Sequence, residues 1–235
     1  MQPLRRIRAL LTPTVIAVLL VAMLAFRHPG SGLSPAGFNA FVAASARRGY
    51  PPGMLISLAL WLVLSVYWEI AAKTASAASR SESRLSRGFH LALITLGQIL
   101  VFLPVPGLRT RWLPHSTPLI VIGLAMQLAF SVFMIWARRT LGRHWSGAVT
   151  TKQDHELIRS GPYRLVRHPI YTGLMGIYLA TVLVSGEVHG LVGFALLSLA
   201  YWRKIRMEEH YLGELFGPQY EAYRSATAAL IPGVF

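Results

Sequence analysis

The sequence YTGLMGIYLATVLVSGEVHGLVGFALLSLAYW, residues 171–202, decides the fold of this chain. It is almost entirely apolar, yet it is too long for one membrane-spanning helix, which needs about 20 residues. Residues 185–190, SGEVHG, interrupt it midway with turn-forming and polar side chains. We therefore predict a tight hairpin of two apolar helices, whose short arms either tilt or stop short of a full crossing.

Four further apolar runs precede the hairpin, and each has the length of a membrane-spanning helix. They lie at residues 9–26, 53–72, 89–108 and 118–137. The predicted fold class is therefore all-α, a polytopic membrane protein with about six transmembrane helices that include the hairpin. We divide the chain into an N-terminal four-helix membrane region, residues 1–137, and a C-terminal region, residues 138–235.

The composition favours a lipid bilayer as the surroundings of this chain. Of its 235 residues, 54% are hydrophobic and 14% are charged, and the formal net charge is +14. A basic soluble protein would suggest nucleic acid, but here the basic residues lie between apolar runs rather than in one polar domain. We therefore predict the bilayer as a partner, and no nucleic acid. The sequence has no Cys, which excludes a disulfide, a thiolate metal site and a cysteine nucleophile.

The distribution of Lys and Arg predicts the orientation, because these residues accumulate on the cytoplasmic side of membrane helices. With a cytoplasmic N-terminus, 18 of the 23 Lys and Arg residues fall on that side and 5 on the other. Both termini are therefore predicted to be cytoplasmic. Arg27, His28 and Pro29 follow the first apolar run where a signal peptide would have a small-x-small cleavage site, so an uncleaved first helix is favoured.

Two predicted cytoplasmic stretches, residues 141–173 and 203–235, concentrate His, Tyr, Arg and Glu at the membrane face, so function is predicted to lie there. The first contains HELI and then GPYRLVRHPIYTG. Its Gly-Pro and His168-Pro169 pairs hold the backbone in turns, with Pro169 in the first turn of the next helix. This corner is predicted to leave backbone N–H groups free and to bind a small anionic or polar group. Tyr163 and Arg164, taken alone, are more typical of an anchor among the lipid headgroups.

The second stretch contains KIRMEE, then LFGPQYEAY and a terminal LIPGVF. Glu208 lies four residues after Lys204, so a helix places both on one face, while Glu209 points elsewhere. For the two carboxylates, this spacing favours a solvated, salt-bridged helix start over a site for a cation. Over residues 208–224 we predict a cytoplasmic amphipathic helix that lies along the membrane face and covers the site.

Together, R-H-P-x-Y and, after one helical hairpin, E-E, F-G-x-x-Y-x-x-Y and a terminal I-P form a specific combination. It resembles the isoprenylcysteine carboxyl methyltransferase and phospholipid methyltransferase superfamily of membrane enzymes, over roughly the C-terminal 100 residues. The resemblance implies that residues 138–235 are the catalytic region. It also implies a cytoplasmic pocket for S-adenosylmethionine between the hairpin and the C-terminal segment.

The resemblance places a set of residues at the family's cofactor-binding positions. They are His155, Glu156, Leu157, Ile158, Tyr163, His168, Pro169, Ile170, Tyr171 and Glu208. Thr150 lies nearest to a Gln that contacts the cofactor in some members. Tyr163 and Tyr171 are candidates to face the sulfonium with their aromatic rings.

The implied reaction is methyl transfer to a membrane-resident amphipathic acceptor, most simply carboxyl O-methylation of an isoprenylcysteine-like substrate. The carboxyl methyltransferases have a substrate-associated Arg where this sequence has Lys204, which keeps the charge but lacks the bidentate fork of Arg. Arg203 or Arg206 is an alternative partner for the acceptor. The candidate residues for catalysis are thus Lys204, Arg206 and Glu208.

The identity of the acceptor stays open at the level of the sequence. A carboxylate acceptor needs a cation to orient it but no general base. A phospholipid amine or a thiol would need deprotonation, for which Glu208, Glu209 or His168 are candidates. The alternatives are therefore a phospholipid headgroup N-methyltransferase or a thiol S-methyltransferase.

Other functions find less support in the sequence. No two His residues stand four apart on one predicted helix, so no metal is predicted. Glu69 is either a functional intramembrane acid or a helix-end partner of Lys73, and the sequence does not decide between them. A non-enzymatic scaffold or small transporter should show internal repeats and midplane polar groups, and only Glu69, His90 and Gln98 fit that description.

Overall fold

The computed structural model describes residue 39 and residues 43–47, 50–72, 83–105, 107–142 and 157–234. Its helices are α1 (Pro52–Ala72), α2 (Arg84–Phe102), α3 (Thr117–Leu141), α4 (Pro169–Ser185), α5 (Val188–Phe216) and α6 (Pro218–Ala226), with one 3-10 turn at Gly161–Arg164. The described residues form no strand beyond isolated bridges. The prediction of an all-α fold is confirmed for this part of the chain.

Three of these helices are long and apolar enough to cross a bilayer, namely Pro52–Ala71, Leu85–Phe102 and Thr117–Leu141. A shorter apolar helix, Pro169–Ser185, accompanies them. The protein is therefore an integral membrane protein. The first predicted span, residues 9–26, lies outside the described residues.

The third predicted span, residues 89–108, is displaced in the structure, where α2 runs from Arg84 to Phe102. Ser83 caps its start, because the Ser83 hydroxyl accepts from the Ser86 N–H at 3.3 Å. The helix ends at Leu103 because the residue before a proline avoids the helical region and Pro104 follows. The apolar run alone did not reveal either boundary.

The predicted hairpin is confirmed. α4 ends at Ser185, Gly186 takes the left-handed conformation with φ of 61°, and α5 begins at Val188. The loop before α3 ties this turn down, since Trp112 N–H donates to Gly186 O at 3.0 Å and Val188 N–H donates to Thr110 O at 2.9 Å. The arms are unequal, because α5 continues far beyond the length of α4 and carries the Glu208-Glu209 pair.

The prediction of one amphipathic helix over residues 208–224 is wrong. α5 continues through Phe216, and α6 starts separately at Pro218. Gly217, with φ of 51°, turns the backbone between them, and proline is favoured in the first turn of a helix. Glu208 and Glu209 therefore belong to the hairpin arm and are held as rigidly as that arm.

The hairpin packs between the earlier helices, with α3 along α4 and α2 along α5. Small residues allow the close approach. A Cβ added at Gly193 of α5 would lie 2.6 Å from Gly97 O of α2, so no larger residue fits there. Trp61 of α1 packs on Tyr178 of α4 with ring centroids 4.6 Å apart, so α1 also contacts the hairpin.

Candidate active site

A corner of the backbone between Gly161 and Pro169 forms one wall of the site. Gly161 has φ of 58° and starts the 3-10 turn with Pro162 at its first position. Tyr163 is buried, and its carbonyl accepts from the Tyr223 hydroxyl of α6 at 2.6 Å. The corner closes at His168, which precedes Pro169 at the start of α4. The two proline-containing turns are thus confirmed.

The prediction of free backbone N–H groups concerned the start of α4, and the two N–H groups just before that helix are paired. Arg167 N–H donates to Ala228 O at 2.8 Å, and His168 N–H donates to Ala229 O at 3.1 Å. Thr172 Oγ1 also donates to Leu230 O at 2.7 Å. The C-terminal segment, residues 227–230, therefore takes these donors, and only the first turn of α4 itself resembles an anion-binding helix start. The pairing joins residues about 60 positions apart, which local sequence signals do not encode.

Glu208 and His168 meet across the site. The Tyr171 hydroxyl donates to Glu208 Oε1 at 2.6 Å, and His168 Nδ1 lies 3.8 Å from Glu208 Oε2. Tyr171 and His168 come from the first polar stretch, and Glu208 comes from the second. The hairpin thus brings the two stretches together at one end of the bundle.

Glu209 also faces the corner, contrary to the prediction that it points elsewhere. Arg167 Nε donates to Glu209 Oε1 at 2.9 Å, and His168 Nε2 lies 3.3 Å from the same oxygen. The side chains of Arg167 and Glu209 are only 9% and 8% exposed. The interpretation of this pair of carboxylates as a solvated, salt-bridged surface is therefore wrong for Glu209. The corner is wide enough to receive two neighbouring residues of one helix.

The two carboxylates have different electrostatic surroundings. Burial alone would raise the pKa of Glu209, but hydrogen bonds from His168 and Arg167, together with their charges, lower it from 4.5 to about 2. Glu209 is thus ionised, and its carboxylate is occupied by Arg167 and His168. The Glu208 side chain is 22% exposed, so it is the carboxylate that a ligand can reach.

The tyrosines around the corner are uncharged. Burial raises the pKa of Tyr163 well above 10, and burial raises the pKa of Tyr223 to about 12. Tyr220 behaves like Tyr163 for the same reason. They supply aromatic surfaces rather than charge, and the Tyr223 hydroxyl also donates a hydrogen bond to the Tyr163 carbonyl.

The other predicted site residues are distributed unevenly. Leu157, Ile158 and Ile170 are half-buried next to the corner, and Pro169 is buried at the start of α4. His155, Glu156 and Thr150 lie outside the described residues. Of the predicted cofactor set, the structure brings His168 and Tyr171 to Glu208. The assignment of the whole set to a cofactor stays a prediction.

The basic candidates on α5 do not lie on one side of the helix. Lys204 is partly buried one turn before Glu208, on the same face. Arg206 is exposed and lies about 200° around the helix from Lys204. The Arg203 guanidinium lies 5.8 Å from the centroid of the Phe89 ring and donates to Ser86 Oγ. Of the three, Lys204 is the best placed beside Glu208.

The sequence analysis gave no role to Arg167, Tyr201 and residues 227–230. Arg167 joins Glu209 to the backbone carbonyls of Arg224 and Thr227. The Tyr201 ring lies 5.6 Å from that of Tyr171. The Arg of R-H-P-x-Y and the second Glu of E-E were visible in the sequence, but nothing local indicated that they form an ion pair.

The arrangement suits a small ligand with a positive charge and hydroxyl groups. A reachable carboxylate, a His and several aromatic rings lie together at the end of the bundle. Within residues 50–72, 83–105, 107–142 and 157–234, no group of three or more His, Cys, Asp or Glu residues has the geometry of a metal site.

Comparisons with known proteins agree with this geometry. The model of the isoprenylcysteine carboxyl methyltransferase family matches residues 121–214, from early in α3 to near the end of α5. The chain is 27% identical over 189 residues to protein-S-isoprenylcysteine O-methyltransferase A of Arabidopsis thaliana, which covers 77% of this chain and 92% of that protein.

Two further relatives match the C-terminal part. The protein-S-isoprenylcysteine O-methyltransferase of Schizosaccharomyces pombe is 37% identical over 97 residues, or 39% of this chain and 40% of the relative. The nickel-cobalt-cadmium resistance protein NccN of Alcaligenes xylosoxydans xylosoxydans is 32% identical over 98 residues, or 40% of this chain and 44% of the relative. The relatives thus carry more than one name over the region that contains the site.

Proposed function

We propose that this chain is a membrane methyltransferase of the isoprenylcysteine carboxyl methyltransferase family, which the match of that family's model to residues 121–214 and the Arabidopsis thaliana relative support. We further propose that it transfers the methyl group of S-adenosylmethionine to the carboxylate of an isoprenylcysteine-like acceptor. One observation supports the proposal most. Tyr171 and His168 from one polar stretch meet Glu208 from the other. The juxtaposition is what a shared cofactor site requires.

The residues present fit S-adenosylmethionine. Glu208 offers a reachable carboxylate, and the rings of Tyr163 and Tyr171 offer faces that stabilise a cation. Leu157, Ile158, Pro169 and Ile170 supply an apolar lining, and we propose that His155 and Glu156 complete it. When bound, the cofactor supplies an electrophilic methyl group on a sulfonium.

The protein's own task is to align the acceptor and to keep water away. An ionised carboxylate acceptor has no proton to lose, so this chain would need to supply a cation that orients it and no base. We propose that Lys204 orients that carboxylate, because it lies one turn from Glu208 and keeps the positive charge of the family's Arg. Arg203 is engaged by Phe89 and Ser86 of α2, and Arg206 would have to reach around the helix, so both are weaker candidates.

We also propose the arrangement of the chain in the membrane. The excess of Lys and Arg on one side supports a cytoplasmic location for the site and for both termini. Residues 1–137 would form the four-helix membrane region, and residues 138–235 the catalytic region. With the hairpin counted as two spans, the proposed total is six.

A second class of acceptor is favoured by one specific feature of the site. His168 lies between two carboxylates, and the ionised Glu209 faces its Nε2 atom at 3.3 Å. A carboxylate–imidazole pair is suited to accept a proton from a thiol or an amine. Thiol S-methylation and phospholipid headgroup N-methylation are therefore the alternatives to carboxyl methylation.

The proposal is tested with purified protein, labelled S-adenosylmethionine and three acceptors: a farnesylcysteine derivative, phosphatidylethanolamine and an alkyl thiol. We expect a base-labile methyl ester on the farnesylcysteine. Label on the amine or the thiol alone would move the assignment to the corresponding alternative. No transfer to any of the three would contradict the proposed class of acceptors.

The cofactor pocket has a separate test, which is calorimetric titration with S-adenosylhomocysteine. We expect Glu208→Gln and His168→Ala each to weaken binding at least tenfold, because each removes a polar contact of the pocket. Glu214→Gln is the matched control, since Glu214 is exposed on the same helix and pairs with His210. Unchanged affinity in both site variants would dismiss the pocket.

A further inference from the structure

We propose that Tyr201 is a positioning residue that sets the pose of Glu208 through Tyr171, and that Tyr178 and Gln98 in turn fix Tyr201. The inference rests on the proposed function, because Glu208 is the cofactor carboxylate only under that proposal. It assigns a role to a buried polar column that the reaction itself does not use.

The column begins at Glu208 and runs into the bundle. The Tyr171 hydroxyl donates to Glu208 at 2.6 Å, and the Tyr171 ring lies 5.6 Å from the Tyr201 ring. The Tyr201 and Tyr178 rings stack at 6.5 Å, and their hydroxyls share a hydrogen bond. Each member therefore touches the next.

The spacing along the two arms of the hairpin explains this order. Tyr171 and Tyr178 are seven residues apart on α4, and Tyr201 and Glu208 are seven apart on α5. Seven residues return a helix to nearly the same face, so each arm presents two members to the other. Because the arms are antiparallel, the four side chains alternate across the hairpin from one end to the other.

Gln98 of α2 closes the deep end of the column. Its Nε2 donates to the Tyr178 hydroxyl at 2.7 Å, and the residue is 1% exposed. Trp61 of α1 packs on the other side of Tyr178. The deep end is thus held by two helices outside the hairpin, which gives the column a fixed reference.

The hydroxyl groups carry the argument, because Phe would fill the same volume. A buried hydroxyl costs free energy unless it is hydrogen-bonded. The hydroxyls of Tyr171, Tyr178 and Tyr201 are therefore expected to keep their hydrogen-bond partners. Bonded hydroxyls restrict each ring to one rotamer and one height along the helix. Through Tyr171, the fixed position of the Tyr201 ring limits the conformations of Glu208. Glu208 lies about 10 Å from Tyr201 along α5, given the rise of a helix per residue.

The experiment compares Tyr201→Phe, Tyr171→Phe and the double variant by titration with S-adenosylhomocysteine and by methylation kinetics. We expect Tyr201→Phe to weaken binding about fivefold and to raise the KM for S-adenosylmethionine similarly, with kcat within about twofold of wild type. The double variant should bind no more weakly than Tyr171→Phe, because the link to Glu208 is already cut. Additive losses, or no loss in Tyr201→Phe, would overturn the inference.

Tyr211→Phe is the matched control on the same helix. The Tyr211 hydroxyl is buried and has no hydrogen-bond partner among the described residues, so its removal should leave affinity unchanged. Gln98→Met provides a second variant from outside the hairpin, and we expect the same rise in KM at about threefold. A Gln98→Met enzyme with wild-type KM would contradict the proposed reference point.

A stability measurement separates this inference from the proposed function. Thermal unfolding of wild type, Tyr201→Phe, Glu208→Gln and the double variant gives the coupling between Tyr201 and Glu208 without any ligand. We expect non-additive shifts in Tm, although the two residues are two turns apart. Additive shifts would overturn the positioning role, whether or not the protein binds S-adenosylhomocysteine. Absence of S-adenosylhomocysteine binding, by itself, would contradict only the proposed function.

Discussion

Tyr171 and Glu208 join the two arms of the hairpin at its polar end, with the tyrosine hydroxyl 2.6 Å from the carboxylate. The contact links residues 37 positions apart. It joins the first turns of α4 to the polar part of α5, where the proposed site lies. Hydrogen bonds to an ionised acceptor are among the stronger ones in proteins. The contact therefore gives Glu208 a defined place before any ligand arrives.

We predict that Tyr171→Phe weakens S-adenosylhomocysteine binding about tenfold, because Glu208 loses its shortest hydrogen bond and gains rotamer freedom. Calorimetric titration measures the effect. The Tm should also fall, because the hydrogen bond to Glu208 is lost although the ring and its packing remain. Wild-type affinity in this variant would show that Glu208 needs no such support.

The Arg167–Glu209 pair should contribute to stability in a pH-dependent way. Its two side chains are almost fully buried, so Glu209→Gln should cost about 3 kcal/mol by leaving Arg167 without its anion. Because the pKa of Glu209 is lowered from 4.5 to about 2 on folding, this contribution is complete above pH 4.5 and is lost as the pH falls towards 2.

Thermal unfolding of wild type and Glu209→Gln between pH 7 and pH 3 checks this sign. The difference in Tm should be constant down to about pH 5 and shrink below it. Glu214→Gln, on the exposed side of the same helix, should show no such difference at any pH. A difference that grows with acid would contradict the assignment.

Lys204→Gln should raise the KM for a carboxylate acceptor about tenfold and leave the affinity for S-adenosylhomocysteine unchanged. The physical reason is that Lys204 is proposed to hold the acceptor and not the cofactor. Lys204→Arg should retain activity, because it restores the family's fork. Arg139→Gln, which removes an exposed charge at the end of α3, serves as the control.

An equal loss of cofactor affinity in Lys204→Gln would place Lys204 in the cofactor site instead. Activity that stays at the wild-type level with the carboxylate acceptor would move the orienting role to another cation. Arg206 would then be the next residue to test.

Truncation should distinguish the part of the C-terminal segment that matters. A chain ending at Leu230 keeps the carbonyls of Ala228 and Ala229 that bind the corner, and it should retain activity. A chain ending at Ala226 loses them, which leaves two backbone donors unpaired, and it should lose both activity and several degrees of Tm. Methylation assays and thermal unfolding measure the two effects. Full activity of the shorter chain would exclude a role for this segment.

Much of the fold could be predicted from apolar length alone. The hairpin, α1 and α3 follow from runs that a bilayer requires, and the Gly186 turn follows from the break within residues 171–202. The ends of α2 could not be predicted in this way. Ser83 and Pro104 set them, and the length of an apolar run does not indicate where a helix is capped. The sequence did not indicate that α5 continues past Glu208. The side chains change there from apolar to polar, but the helix itself is not interrupted.

The site was predictable only in part, because its contacts join distant segments. The motif residues His168, Tyr171 and Glu208 were selected by resemblance, and the structure brings them together. The burial of Glu209 against Arg167 depends on the angle at which α5 meets the corner, which no local pattern records. The same holds for residues 227–230, whose role appears only once α6 has turned the chain back.

That return of the chain has a consequence for biosynthesis. The corner at residues 167–168 leaves the ribosome well before residues 227–230, which supply its backbone partners. A nascent chain can therefore insert its helices and yet lack a finished enzyme. Until residues 227–230 are made, the Arg167 and His168 N–H groups lack the carbonyls that bind them in the finished chain.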